Sequence, residues 1–140
     1  MKFEAGTQNF ASTATLKPAI NIANELINKE LIDNIDSIRD YLLDFFHKDE
    51  RISLYGVPRG TNEEKIPLFS FSVKGVHHED LALILDKMGV AVRSGQMCAE
   101  PLMDRFGVTG MLRVSFAPYN TMEEAEYFVK CLNKAIDMLL

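Results

Sequence analysis

The hydrophobic pattern of the chain changes several times between the two-residue period of a strand and the longer period of a helix, and these changes limit the fold. Phe69, Phe71 and Val73 alternate with Ser70 and Ser72, as in a strand with one buried face. The serines leave the opposite face polar. This segment therefore predicts a half-buried strand in an open sheet.

Three shorter segments predict further strands. Residues 52–55 are a brief apolar run that a glycine ends. In residues 90–93 the two valines face one way, which directs Arg93 away from the apolar layer. In residues 112–116 apolar and polar side chains alternate, so we expect Arg113 on the polar face.

Apolar residues recur at helical spacing in four longer segments, residues 12–27, 31–46, 79–88 and 121–139. The last of these opens with Thr-Met-Glu-Glu, the sequence of a capping box. Residues 101–106 can add one or two helical turns after a proline. We expect the apolar stripes of these helices to face a core.

The order of the longer elements is helix, helix, strand, strand, helix, strand, strand, helix, which indicates an α+β fold. We expect a small, largely antiparallel (mixed) sheet with helices on one face. The chain has 140 residues, of which 47% are hydrophobic and 25% charged. That length suffices for one core and is short for two, so residues 1–140 predict a single domain.

Charge and cysteine usage exclude several classes of partner. The formal net charge is −5 and the pI is near 5.2, without a basic run, so we expect no nucleic-acid partner and no membrane partner. The sequence shows neither a signal peptide nor an apolar run long enough to span a bilayer. Cys98 and Cys131 lack Cys-x-x-Cys spacing, which predicts reduced thiols and a cytoplasmic location.

Residues 93–103, Arg-Ser-Gly-Gln-Met-Cys-Ala-Glu-Pro-Leu-Met, place Cys98 between a predicted strand and a short predicted helix. We expect a mobile, partly exposed loop there. A reactive thiolate needs exposure and a nearby positive charge or helix N-terminus. Arg93, Arg113 and the turn that begins at Pro101 are candidates for these roles. A loop cysteine that lies near two arginines by chance fits the same residues.

Spacing disfavours other cysteine chemistries. Six residues separate Cys98 from Arg105, which is longer than a phosphatase loop allows, and the segment lacks the glycines of such a loop. A protease dyad would need His47, His77 or His78, and nothing in the sequence places one of them beside the cysteine. Paired histidines before a helix more often cap or pack than bind metal, so we expect no metal site.

Residues 3–9 are polar and contain residues suited to a helix start. They are typical of a helix lead-in. The backbone amides around Gly6 and Thr7, with the threonine hydroxyl, also suit the binding of an anion at a helix start. Both interpretations remain open from these residues alone.

Four motifs follow one another along the chain: Phe3-Glu4-Ala5-Gly6-Thr7, then Gly75-x-His77-His78-x-x-Leu81, then Arg93-Ser94-Gly95-x-x-Cys98-Ala99-x-Pro101-Leu102-Met103, and finally Arg113-Val114-Ser115-x-Ala117-x-Tyr119-Asn120-Thr121-x-Glu123-Glu124. Together they resemble the C-terminal part of the class V aminotransferase family, and most closely its SufS/NifS-like cysteine desulfurases and selenocysteine lyases. The resemblance covers nearly the whole chain, and an Arg-x-Gly-x-x-Cys motif followed by Arg-x-Ser is specific.

The resemblance implies a homodimeric fold-type I enzyme that uses pyridoxal 5′-phosphate (PLP), with this region as its small C-terminal domain. It implies that Cys98 takes sulfur from a cysteine substrate and becomes a persulfide. Arg113 matches the arginine that holds the substrate carboxylate, a role that suits a guanidinium. Arg93 matches an arginine near the active-site loop and is a second candidate for substrate binding. Gly6 and Thr7 match the segment that reaches the cofactor phosphate of the partner subunit.

The same resemblance implies a cysteine or selenocysteine substrate, a sulfur-acceptor protein as partner, and a place in sulfur metabolism and iron–sulfur cluster assembly. The family's Schiff-base lysine lies in a large PLP-binding domain upstream of the first motif, and no lysine of this chain stands in a matching motif. We therefore expect the 140 residues alone to be catalytically incomplete. Gln96 and Met97 replace a pair that is often histidine, which removes a proton donor or acceptor beside the thiol. Gln8 replaces a usual proline.

Two other hypotheses remain. The chain can be a non-enzymatic sulfur carrier or protein-interaction module that uses Cys98, or a folded remnant in which this cysteine has no role. If a large domain normally covers one side, we expect an exposed apolar patch on the first helix and the sheet edge, and self-association through it.

Overall fold

A computed structural model describes residues 6–26, 29–56 and 65–140, without the side chains of residues 29 and 30. Turn residues in the sequence also indicate a polar loop at residues 59–64, which lies outside this description. The elements in chain order are α1 (Phe10–Ala14), α2 (Leu16–Leu26), α3 (Lys29–Lys48), β1 (Ile52–Tyr55), β2 (Leu68–Val73), α4 (His78–Lys87), β3 (Arg93–Gly95), α5 (Glu100–Phe106), β4 (Met111–Ser115) and α6 (Met122–Leu139).

The four strands form one sheet in the order β1-β2-β4-β3, and each neighbouring pair is antiparallel. β2 and β4 are the central strands, whereas β1 and β3 lie at the edges. The α+β fold with an antiparallel sheet is therefore confirmed.

One face of the sheet forms the core with α3, α4 and α6. Phe69 and Phe71 of β2 are fully buried, as the alternation with serine predicts. Phe46 of α3 packs on both rings, with ring centroids 5.3 and 4.9 Å apart, and its ring centroid lies 6.4 Å from that of Phe128 on α6. These tilted aromatic contacts join the helical layer to the middle of the sheet.

The opposite face of the sheet is partly covered by α5. The ring of Phe106 at the end of α5 lies 4.9 Å from the ring of Tyr55 on β1. Tyr55 also shares a hydrogen bond of 2.8 Å with the hydroxyl of Ser72 on β2. The short helix thus closes over the polar face, which is the face that carries Arg113.

The capping box predicted for α6 is present. The backbone N–H of Glu124 donates to Thr121 Oγ1 over 3.3 Å, and the backbone N–H of Thr121 donates to Glu124 Oε2 over 3.0 Å. The hydroxyl of Tyr127 on α6 donates to the carbonyl of Met88 over 2.9 Å. This last bond holds α6 against the end of α4.

The helix predicted at residues 12–27 forms in two pieces, α1 and α2, and its predicted role in the core is wrong. Every residue from 6 to 26 is exposed, including Leu16 at 58% and Ile20 at 49%. The residue at position 27 lies outside the described part of the chain. Helical spacing shows that a helix has an apolar side, but it does not show that this chain supplies the partner. The exposed apolar patch expected on the first helix is confirmed.

The strand predicted at residues 90–93 begins later, at Arg93. The N–H of Val90 donates to the carbonyl of Leu85 over 3.0 Å, so the chain is still completing the end of α4 at that point. Val90 and Val92 pack against the core from the connecting segment.

In the described part of the chain, no helix is both long and apolar enough to cross a membrane.

Candidate functional site

A row of four side chains crosses the polar face of the sheet, one from each strand. Tyr55 of β1 is opposite Ser70 of β2, Ser70 is opposite Arg113 of β4, and Arg113 is opposite Arg93 of β3. Residues that are directly opposite in an antiparallel pair point to the same side of the sheet. The two arginines singled out from the sequence therefore lie side by side on one face.

Like charges opposite each other destabilise a sheet unless something compensates for them. Arg93 is exposed and Arg113 is half-buried. Among residues 6–26, 29–56 and 65–140, no carboxylate forms an ion pair with either. Arg39 and Arg51, by contrast, both bind aspartates. The Arg93–Arg113 pair is thus available for an anion that is not part of the described chain.

A cavity of about 440 Å³ lies between this face of the sheet and α5. Its apolar lining comes from β2, β4, α5 and the segment around Cys98, and consists of Leu68, Met97, Ala99, Leu102, Met103, Phe106 and Met111. Its polar lining is Tyr55, Ser70, Gln96 and Arg113, and Gly56 and Gly95 complete the wall. The structure therefore joins Arg113 and the residues on both sides of Cys98 in one cavity wall.

Cys98 lies in a tight turn directly after β3. The N–H of Ala99 donates to the carbonyl of Gln96 over 3.0 Å, and the two residues between them, Met97 and Cys98, have φ angles of 54° and 60°. Two positive φ angles at the centre of a turn are the geometry of type I′, which glycine and asparagine normally occupy. Cys98 is exposed, as the sequence predicts. The strained backbone holds the thiol outward at a position where most side chains are unfavourable.

The short helix α5 fixes the far side of this turn. It starts two residues after Cys98 with a proline in its first turn, and it ends at Gly107, whose φ of 68° suits a left-handed helix terminus. Met103 is buried and attaches the helix to the rest of the fold. The predicted turns at residues 101–106 are confirmed, and their role as a wall of the cavity was not predicted.

The histidines lie elsewhere. His77 and His78 stack on each other at the start of α4, with ring centroids 4.4 Å apart, and they line a different cavity together with Gly110. Burial lowers the pKa of His78, and the neighbouring His77 lowers it further. His47 lies near the end of α3. None of the three histidines lines the cavity beside Cys98. Within the described ranges, no three or more His, Cys, Asp or Glu side chains form a group that could hold a metal ion.

Cys131 is buried on α6 and forms no disulfide with Cys98. A buried cysteine on the core side of a helix acts as a small apolar residue. The two thiols therefore have different environments, since Cys98 is exposed in the turn after β3 and Cys131 lies within the core.

Gly6 and Thr7 precede α1 and are exposed, and neither lines the cavity beside Cys98. Gly6 has a φ of 89°, and the space where a Cβ would lie is open. An open glycine backbone beside an exposed hydroxyl fits one side of a phosphate group. No cation occurs between Gly6 and Lys17, so such a contact would be partial.

A covalent bond to PLP would need a lysine at the reaction centre, and no lysine lines the cavity beside Cys98. Lys65 has a lowered pKa because of burial, and its Nζ lies 5.5 Å from the centroid of the Phe69 ring. It is not part of the cavity wall. The described residues therefore fit a contact to the cofactor phosphate and do not supply a lysine at the site.

Residues 1–128 match the family of class V aminotransferases. A probable cysteine desulfurase from Vibrio cholerae is 37% identical over 99% of this chain, which covers 33% of that protein. The cysteine desulfurase CsdA of Escherichia coli is 45% identical to this chain over an aligned segment. That segment covers 52% of this chain and 18% of CsdA. The crystal structure of CsdA in its S-sulfonic acid form superposes with a TM-score of 0.83 at 32% identity, covering 99% of this chain and 33% of that one.

A cysteine desulfurase from Thermococcus onnurineus superposes with a TM-score of 0.67 at 32% identity, covering 98% of this chain and 34% of that one. This chain thus spans about a third of the length of the relatives that it matches. The family is PLP-dependent. The match over most of the chain and the shared fold lead to one conclusion: the chain belongs to the class V aminotransferase family of enzymes, among relatives that are cysteine desulfurases.

Proposed function

We propose that residues 1–140 form the small C-terminal domain of a PLP-dependent cysteine desulfurase, the part that carries the sulfur-accepting thiol and the substrate anchor. The observation that carries this proposal is the shared cavity wall, in which Arg113 and the turn that holds Cys98 meet. The large domain would supply the covalent attachment of the cofactor.

Arg113 is the group proposed to bind the substrate carboxylate. It is half-buried on a central strand, where two neighbouring strands hold its backbone. A guanidinium in such a place can donate two parallel hydrogen bonds to a carboxylate. Arg93 lies beside it and adds a second positive charge. A substrate bound there would have its amino-acid end fixed at the sheet.

Cys98 is the group proposed to take the sulfur. Its thiolate attacks the sulfur of the bound cysteine, and the bond between that sulfur and the substrate's β-carbon breaks. The electron pair of the broken bond stays with the carbon, which takes up a proton to give alanine. Cys98 is left as a persulfide. An exposed position within a tight turn allows both the attack and the later transfer of sulfur to an acceptor protein.

PLP, when bound, supplies the electron sink that makes the bond to sulfur breakable. Gly6 and Thr7 would contact its phosphate, which in a homodimer belongs to the partner subunit. The exposure of both residues and the open backbone at Gly6 support this assignment. A cysteine or selenocysteine would serve as substrate.

The proposal can be tested in a chimera, in which this chain replaces the matching third of the Vibrio cholerae relative. We expect the chimera to release alanine from cysteine. Cys98→Ser should reduce that rate by at least about 100-fold, because a hydroxyl does not accept the sulfur. Cys131→Ser, at the buried thiol, is the matched control and should keep the rate. A chimera that binds PLP and works equally well with Cys98→Ser would contradict the assignment.

The 140-residue chain alone should show no PLP absorbance band and release no sulfide from cysteine, because no lysine lines the cavity beside Cys98. The measurement is a visible spectrum of the purified chain incubated with PLP, before and after borohydride reduction. A reducible band that remains bound after gel filtration would show that a lysine of this chain attaches the cofactor.

A second candidate function is a sulfur carrier without catalysis of its own. The exposure of Cys98 in the chain by itself favours it. Incubation with a persulfide donor, followed by mass spectrometry, should then add one sulfur to Cys98 and none to a Cys98→Ala variant. The carrier hypothesis requires this transfer, whereas the desulfurase proposal does not.

A further inference from the structure

We propose that the cavity between α5 and the sheet binds small carboxylic acids with an apolar body, with the carboxylate on Arg113 and the body against α5. This goes beyond sulfur transfer, since cysteine has only a short side chain and binding here does not require Cys98 to react. The inference rests on the juxtaposition of a mainly apolar wall with a guanidinium that forms no ion pair with a described carboxylate.

The apolar wall has two sides. Leu102 and Phe106 are four residues apart on α5, so they lie on the same side of that helix. They remain 45% and 42% exposed, which leaves apolar surface for a ligand to cover. On the sheet, Met111 is opposite Gly95, which has no side chain, and the space where its Cβ would lie is open. The missing side chain leaves room above the strand.

Among the described residues that line this wall, Arg113 is the charged one. The hydroxyl of Tyr55 already shares a hydrogen bond with Ser72. Ser70 is opposite Arg113 in the sheet and can add a hydroxyl to the same ligand group. No described carboxylate neutralises Arg113. A ligand with one carboxylate would therefore neutralise a half-buried charge that the described chain leaves unpaired.

The size of the cavity sets the size of the apolar body. A volume of about 440 Å³ is well above the need of a single carboxylate and lies in the range of small-molecule pockets. One aromatic ring on a two-carbon arm could contact α5 while its carboxylate stays on the sheet. 3-Phenylpropionate has this form and is a suitable probe.

The test uses the 140-residue chain labelled with ¹⁵N and titrated with 3-phenylpropionate, with 3-phenylpropan-1-ol and with acetate. We expect the acid to shift the amide signals of the cavity wall and to bind at least about tenfold more tightly than either comparison compound. Equal binding of the alcohol would show that the guanidinium is not used. Equal binding of acetate would show that the apolar wall is not used. Either result, or shifts confined to α2, would overturn the inference.

Variants locate the two contacts. Arg113→Gln should lower the affinity for 3-phenylpropionate at least about tenfold, and Leu102→Asn should lower it severalfold. Arg105→Gln removes an exposed arginine of α5 that does not line the cavity, and it should have no effect. If Arg113→Gln does not fold, the three-compound comparison on the unmodified chain decides alone. Binding unchanged in a folded Arg113→Gln variant would reject the inference.

The inference and the proposed sulfur transfer have separate readouts, which are ligand binding by the unmodified chain and alanine release by the chimera. Failure of 3-phenylpropionate to bind, together with Cys98-dependent alanine release by the chimera, would reject only the carboxylate pocket. Binding of the acid without any alanine release would reject only the desulfurase proposal.

Discussion

At the scale of single residues, the backbone of Cys98 is the most unusual feature of the site. Met97 and Cys98 both have positive φ, where a side chain costs about 1–2 kcal/mol relative to the right-handed region. Asparagine tolerates this region better than other non-glycine residues, and β-branched residues tolerate it worst. Because Cys98 is exposed, a substitution there tests the backbone with little change in packing.

We therefore expect Cys98→Asn to be more stable than Cys98→Val by about 1 kcal/mol in the free energy of unfolding, measured by urea denaturation. The same two substitutions at Lys130, an exposed position within α6, are the control. The two variants at Lys130 should have nearly equal free energies of unfolding, because asparagine and valine have similar helix propensities. Equal stabilities at position 98 would show that the turn is not strained.

The sequence predicts the exposure of Cys98 and the orientation of Arg113 better than it predicts which residues surround them. The motif around Cys98 and the alternation around Arg113 were enough to expect an exposed thiol and a polar-facing arginine. Tyr55 and Ser70 were not identified, because their place beside Arg113 depends on strand order and register. Neither quantity is encoded in a local pattern. The left-handed backbone at Met97 and Cys98 was likewise hidden, since neither residue type is typical of such turns.

At the scale of elements, the start of α4 carries a buried titratable group. His78 lies at the first position of the helix, and its Nδ1 is buried without a hydrogen-bond partner among the described residues. Burial is the largest cause of its lowered pKa, and the nearby His77 is the second, while Glu79 acts in the opposite direction. Its ring packs so closely on Gly110 that a Cβ there would lie 2.3 Å from Nε2. Protonation of His78 would place a charge in this tight contact.

Stability should therefore fall as the pH is lowered from 7 to 5. The unfolded chain binds a proton at His78 near pH 6.5, whereas the folded chain binds it only at lower pH, so the unfolded state gains protons first. The loss begins near the unfolded pKa and stops below the folded one. Carboxylates with lowered pKa values, such as Asp49, change the stability only at pH values below this range.

The measurement is the free energy of unfolding at several pH values for the unmodified chain and for His78→Gln. The variant should show a much smaller change between pH 7 and pH 5. His77→Gln is the control and should keep most of the dependence, because the burial of His78 remains. An unchanged slope in His78→Gln would mean that another group is responsible.

Helix and strand patterns predicted most elements, and the errors have physical causes. Alternation located β2 and β4 because each has one buried and one polar face. The sequence pattern predicts the start of β3 too early, because Val90 and Val92 are apolar for another reason: they pack against the core from a connecting segment. The stripe on α2 was assigned to the core because an amphipathic pattern does not identify its partner.

At the scale of the whole molecule, the exposed face of α2 is the main departure from an ordinary surface. Leu16, Ala19, Ile20, Ala23 and Leu26 recur along one side of the helix, and all are exposed. A contiguous apolar surface of this kind favours association. The acidic net charge opposes close approach of two chains only weakly at physiological salt.

We therefore expect the isolated chain to associate with itself in a concentration-dependent way, measured by sedimentation velocity. Ile20→Lys should shift the chain towards the monomer, because a charge in the centre of the stripe would have to be buried. Lys17→Glu changes the charge on the polar side of the same helix and serves as the control. A strictly monomeric chain at high concentration would contradict the expectation.

The two side chains proposed to carry the function, Cys98 and Arg113, occupy different positions relative to the sheet. Arg113 lies on β4, which is hydrogen-bonded on both sides, whereas the turn of Cys98 is attached to a three-residue strand at the sheet edge. Within the sheet, detaching β3 would break its pairing with β4 and leave β2 and β4 joined, and it would also separate β3 from α4. In the function proposed above, the sulfur-accepting thiol would therefore belong to the outer, less extensively paired part of the sheet, and the carboxylate anchor to its centre.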